Sequence, residues 1–196
     1  MKTDLKLTRD LRIAFSVDTP DHGRVHVHSL PLARSIFETF VLELGETYSK
    51  VFGSYDPKHV AMTAPQMALP ALRLVSKRMG TWEGPDGVEA GLINELSRLT
   101  TVAHAGAAGW EQIPLHLALQ RGILDEDTHA EVASSLVFIF LTLRVGPDVL
   151  REDTLRMASS ARGWQYTSLG FTEYLASLPT STPVASTTKK RSSVIG

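Results

Sequence analysis

Apolar residues near the start of the chain recur at every second position. Leu11-Arg-Ile-Ala-Phe-Ser-Val17 alternates, Asp18-Thr-Pro-Asp-His-Gly23 is dense in turn formers, and Arg24-Val-His-Val-His28 alternates again. That pattern predicts a β-hairpin over about 11–28. After Pro31 the period lengthens to three and four. Ser35-Ile-Phe-Glu38 has the spacing of a capping box, in which serine and glutamate satisfy the free N–H groups of a helix start. Phe37, Phe40, Val41, Leu44, Tyr48, Val51 and Phe52 then line one face, with Gly53 as a left-handed stop. Helices are therefore expected from about residue 35.

Further along, Pro65 and Pro70 each delete a helical hydrogen bond, so the stretch after Asp56-Pro57 is expected to break into short pieces. Within it Ala68, Leu72, Val75 and Met79 make a stripe that Gly80 ends. A helix after Gly84-Pro85 turns Val88, Leu92, Leu96 and Leu99 inward, and Gly106-Ala-Ala-Gly109 reads as a loop. Pro114 opens a short helix that Gly122 ends. Asp125-Glu-Asp127 then puts negative charge at the start of the next helix, where the helix dipole favours it. That helix carries the most apolar run, Leu136-Val-Phe-Ile-Phe-Leu-Thr-Leu143. Eight residues are far short of the roughly 20 that span a bilayer, so the run reads as core and no membrane partner is expected. A weaker amphipathic segment reaches Met157, and Phe171, Tyr174, Leu175 and Leu178 form a last short stripe.

The fold class expected from this pattern is mainly α: one helical domain over 1–178 with an N-terminal β-hairpin. Residues 179–196 read as a flexible tail, since eight of these 18 are Ser or Thr and the charges are Lys189, Lys190 and Arg191. At 196 residues the chain can bury about 70 % of its unfolded surface without cross-links. Its 20 basic and 21 acidic residues leave a net charge of −1, too little positive field for a specific nucleic-acid partner. With no cysteine there is no disulfide framework and no thiolate nucleophile. The N-terminus lacks a basic segment leading into an apolar one, so export is not expected.

Candidate chemistry is sparse. His26 and His28 stand two apart on a strand, so both point to one face and form a weak candidate metal pair. His22 in the turn is the nearest third ligand. Asp125, Glu126, Asp127 and Glu131 supply oxygen ligands of a type that holds divalent cations, but dipole compensation accounts for them. Glu38 is explained by its capping box. Trp82 and Trp110 read as indoles packing loops onto the core. His104, His116 and His129 are scattered. No catalytic constellation emerges and no cofactor is implied; the pattern favours a binding or assembly role.

Several phrases resemble the tail assembly chaperones of long-tailed bacteriophages. They are Arg24-Val-His-Val-His-Ser29, Met79-Gly-Thr-Trp-Glu-Gly-Pro-Asp-Gly87, and Gly109-Trp-Glu-Gln-Ile-Pro114 running on to Gly122-Ile-Leu-Asp-Glu-Asp127. Thr167-Ser-Leu-Gly-Phe-Thr-Glu-Tyr-Leu-Ala-Ser-Leu178 with Pro179-Thr-Ser-Thr182 completes the set. The resemblance implies a mostly helical, non-enzymatic protein of the host bacterial cytoplasm. Such a protein coats the phage tape-measure protein, helps bring tail-tube subunits to it, and leaves before the tail is finished. It also implies a longer frameshifted form, for which Lys189-Lys190 is a candidate slippery site. The alternative is a structural subunit of the particle, a tail or connector protein. A chaperone of this kind needs an apolar surface that reversible association, including self-association, protects. Two surfaces qualify on sequence: the stripe Phe171, Tyr174, Leu175 and Leu178, and the open edge of the hairpin.

Overall fold

A computed structural model of the chain describes residues 3–8, 10–53, 57–106, 109–161, 164–170, 172–173 and 176. The expected hairpin is present as β2 (Ile13–Thr19) and β3 (Gly23–Ser29), paired antiparallel with Phe15 opposite Val27. Around it stand four further strands: β1 (Thr3–Thr8), β4 (Thr100–Gly106), β5 (Gly109–Pro114) and β6 (Trp164–Leu169). They join in one sheet of order β5-β4-β3-β2-β1-β6. All neighbours are antiparallel except β1 and β6, which run parallel with Thr3 opposite Trp164. The fold is therefore α/β with a six-stranded mixed sheet, not mainly α with a hairpin. The stretch around Gly106-Ala-Ala-Gly109 that reads as a loop joins two paired strands.

Among the described residues seven helices and one π-helical turn are defined: α1 (Arg34–Thr39), α2 (Val41–Phe52), α3 (Pro57–Met79), a π turn (Glu89–Ile93) into α4 (Asn94–Arg98), α5 (Leu115–Gln120), α6 (Glu126–Arg144) and α7 (Asp148–Ala161). Period-two burial sorts the sheet into two faces. Leu5, Leu7, Ile13, Phe15, Val17, Val25, Val27, Val102 and Ile113 enter the core with the helices, while their alternates do not. The core is contiguous. Its centre is α6, buried without interruption from Ser134 to Leu143. Asp125 caps this helix, its side chain accepting the Thr128 N–H at 2.7 Å, so the acidic run serves the helix start as expected.

The capping box at Ser35 does not form. α1 has no side-chain cap, and Glu38 instead accepts from Arg34 Nε at 2.7 Å, one turn back. The chain then breaks at Phe40, splitting the expected single helix into α1 and α2. Phe40 packs on the π turn at Gly91, where an added Cβ would lie 2.6 Å from its ring; glycine is what permits the approach. At the end of α2, Gly53 has φ −80°, so the stop is right-handed and not left-handed.

The largest departure from local expectation is α3, which runs unbroken through Pro65 and Pro70. Pro70 has no N–H to give Gln66, so that carbonyl loses its helical donor. Ser134 of α6 replaces it: the hydroxyl donates to the Gln66 carbonyl at 2.9 Å and accepts the Leu69 N–H at 3.1 Å. One side chain thus repairs the proline's defect and ties α3 to α6. The small residues Ala64 and Ala68 on the buried side of α3 let the helices come close enough for that hydroxyl to reach backbone. Ser134→Ala removes the donor to the Gln66 carbonyl and an acceptor of the Leu69 N–H, and we predict a loss of about 1–3 kcal/mol, read as a lowered urea midpoint with unchanged m-value.

Candidate functional site

The open side of the α3–α6 pairing forms a cavity of about 620 Å³. Leu69, Pro70 and Leu74 line it from α3, with Ala130 and Ser134 from α6. Because Gln66 lies by Ser134 and Lys77 shares the cavity with Asp127, the two walls run in opposite directions. Arg73 and Lys77 make one wall basic; Asp127 and Glu131 make the other acidic. Arg73 sits over the Trp82 ring, 5.1 Å from its centroid. That indole is buried, as the sequence leads one to expect. Leu74, which lines the cavity, is 65 % exposed, and Met67, elsewhere on α3, is 52 % exposed. Seven residues apart on a helix, they present two apolar side chains two turns from each other.

Sequence reasoning missed this site. Of the stripe it does find, Ala68, Leu72 and Val75 are fully buried, whereas Met79 at the helix end is exposed. Met67, Pro70 and Leu74 belong to the opposite side of the same helix. Their spacing was the available signal: three apolar residues on a face that should be polar if it met only water.

The surfaces expected from sequence fare differently. Phe171, Tyr174, Leu175 and Leu178 lie outside the described residues, as does the tail from 179. The hairpin has no open edge, because β1 covers β2 and β4 covers β3. Strand addition at that hairpin is thereby excluded.

His26 and His28 do share a face, on the side of the sheet away from the helices. Around them are small and polar neighbours, Ser16 and Ala103 beside His26, Ala14 and Thr101 beside His28. His26 meets the Trp110 ring edge-on at 5.1 Å, so this second indole packs on the sheet face. Next to it Arg24 Nε donates to Asp18 at 3.0 Å. His22 faces the other way, its ring 6.1 Å from that of buried His104. His104 lies with Nε2 3.8 Å from Glu111. The expected third ligand is thus not with the pair, and among the described residues no group of three or more His, Asp or Glu is placed to hold a metal ion. A smaller cavity of about 290 Å³ takes His116 and His129 at its edge over a floor that includes Leu96, Leu115 and Leu136.

No helix of the described residues is long and apolar enough to cross a membrane. No protein-family model, curated protein or solved structure matches the chain.

Burial lowers the pKa of His26 and of His28 below the ordinary 6.5, with Arg24 and then Lys6 adding to the effect at His26 and Arg12 at His28. Burial alone lowers His129. In each case the unfolded chain takes up protons first as pH falls, so folding stability is highest above about pH 6.5 and declines below it until the lowered values are passed. Unfolding free energies measured from pH 7.5 to 5 are predicted to fall, and to fall less steeply in His26→Gln/His28→Gln; an unchanged slope in that variant would contradict this.

Proposed function

We propose that the protein is a non-enzymatic tail assembly chaperone of a long-tailed bacteriophage, acting in the host bacterial cytoplasm. It holds a helical stretch of the tape-measure protein in the α3–α6 groove and helps recruit tail-tube subunits. The observation that carries this reading is the groove itself, an open apolar channel lined in part by the exposed Leu74. From Gln66 to Lys77 it extends along α3 for about 17 Å at 1.5 Å per residue, the length of three helical turns. An amphipathic helix with anchors at i, i+3 or i+4, and i+7 fits a channel of that length. Its flanks would carry acid toward Arg73 and Lys77 and base toward Asp127 and Glu131. The resemblance of the sequence phrases to the chaperone family points to the client. The mostly helical fold that the resemblance implied is not what this chain adopts, so the proposal stands on the groove and the phrases and not on architecture.

A photoreactive residue placed at Leu74 is predicted to crosslink to the tape-measure protein in cells making phage tails. The same residue at Val149, 83 % exposed and outside the groove, should give no such product. Purified finished particles should lack the chain. Stoichiometric presence in virions would instead identify a structural subunit, and failure at Leu74 would remove the groove from the function.

A further inference from the structure

We infer that in the absence of client the groove is closed by a second copy of this chain, in a two-fold dimer whose axis passes beside Leu74. The inference deepens the chaperone reading by naming what occupies its site at rest; its consequence for client entry rests on that reading, while the dimer itself does not.

The argument begins with the charges. Arg73 and Lys77 stand on one wall, Asp127 and Glu131 on the other, with apolar surface between. A partner of one sign would be attracted by one wall and repelled by the other. The surface that answers both walls at once is one that carries both signs in the same arrangement. This chain has it.

Two-fold symmetry makes such a match self-consistent, since whatever residue i meets on the second copy is met in return. Placing α3 of one copy against the groove of the other, antiparallel to the α3 already there, sets Leu74 against Leu74 of the second copy at the axis. Arg73 and Lys77 of each then fall toward the acidic wall of its mate. Neither Lys77 nor Asp127 has an ion-pair partner within its own chain among the described residues, so these two charges are available to the second copy. The same contact covers Leu74, the most exposed apolar residue among the described side chains of α3. Client and second copy would thus compete for one site, and a helical client would enter as the dimer opens.

Sedimentation velocity of the full chain over a wide concentration range tests this. The mass is expected to rise from 21.5 kDa toward twice that value, and Leu74→Glu should stay at the lower mass. That substitution is at an exposed site, and a matching circular dichroism spectrum and melting temperature confirm that the variant folds. Two charge variants sharpen the test. Arg73→Glu/Lys77→Glu has two acidic walls, and Asp127→Lys/Glu131→Lys two basic ones. Each alone should dimerise at least tenfold more weakly than the parent, whereas their equimolar mixture should dimerise again. A monomer at every concentration overturns the inference, as do charge variants that pair like the parent or a mixture that does not recover. Were the chain monomeric while Leu74 still crosslinked the tape-measure protein, the chaperone reading would stand alone. If it dimerised as described while Leu74 crosslinked nothing but a second copy in tail-producing cells, the dimer would stand and the chaperone reading would fall.

Discussion

The burial of α6 is the constraint from which the rest of the architecture follows. Between Ser134 and Leu143 the helix has no exposed residue, so every side of it needs a neighbour. β2, α2, α3, α5 and α7 supply them. A helix apolar all round gives no amphipathic direction, and its orientation must be set by the few polar groups it carries. Thr142 turns its hydroxyl back to the Phe138 carbonyl within α6 and contributes nothing between elements. Ser134 does the opposite. By reaching the backbone of α3 at Gln66 and Leu69 it fixes where along α6 that helix lies, and with it which residues face each other across the groove.

This explains how a helix with two internal prolines comes to wall a binding channel. Proline at position 70 places an apolar ring on the groove side and leaves a backbone carbonyl needing a donor. The donor comes from the opposite wall. The defect in one helix and the hydroxyl in the other therefore define one another, and the spacing of the walls is set by two hydrogen bonds in addition to side-chain packing. Beyond Ser134 toward Asp127 the walls carry opposite charges that are not matched as close pairs between Lys77 and Asp127, which leaves the upper channel open.

What the sequence reveals is whatever depends on near neighbours. The β2–β3 hairpin, seven paired positions around a turn, is legible because alternation and turn residues are contiguous. So are α2, α6 and its Asp125 cap, and the buried stripe of α3. Four strands escape: β6 pairs with β1 and β4 with β3 across long stretches of chain, while β1 and β5 pair with sequence neighbours but carry too little alternation to show it. β4 follows a helix directly, and its Thr100, Val102 and His104 alternate inward over too few residues to outweigh the helical pattern before them. β5, Gly109-Trp-Glu-Gln-Ile-Pro114, has no clear alternation at all. The continuity of α3 was equally hidden, since a proline reads as a breaker until the remote serine that compensates it is known. The histidine pair kept its common face but not its third ligand, because a turn residue such as His22 can swing to either side of the sheet.

The place of β1 in the sheet has a consequence for how the molecule is made. It sits between β2, a few residues away, and β6, whose pairing joins Thr3 to Trp164 across nearly the whole described chain. During synthesis β1, β2 and β3 can pair early, but β1 must wait with one side bare until α7 has emerged and β6 follows it. Contacts of such long sequence separation form late and slow folding, and a bare strand edge in the interval invites pairing with other nascent chains. Among the described strands, the last to be synthesised is thus the one that seals the first.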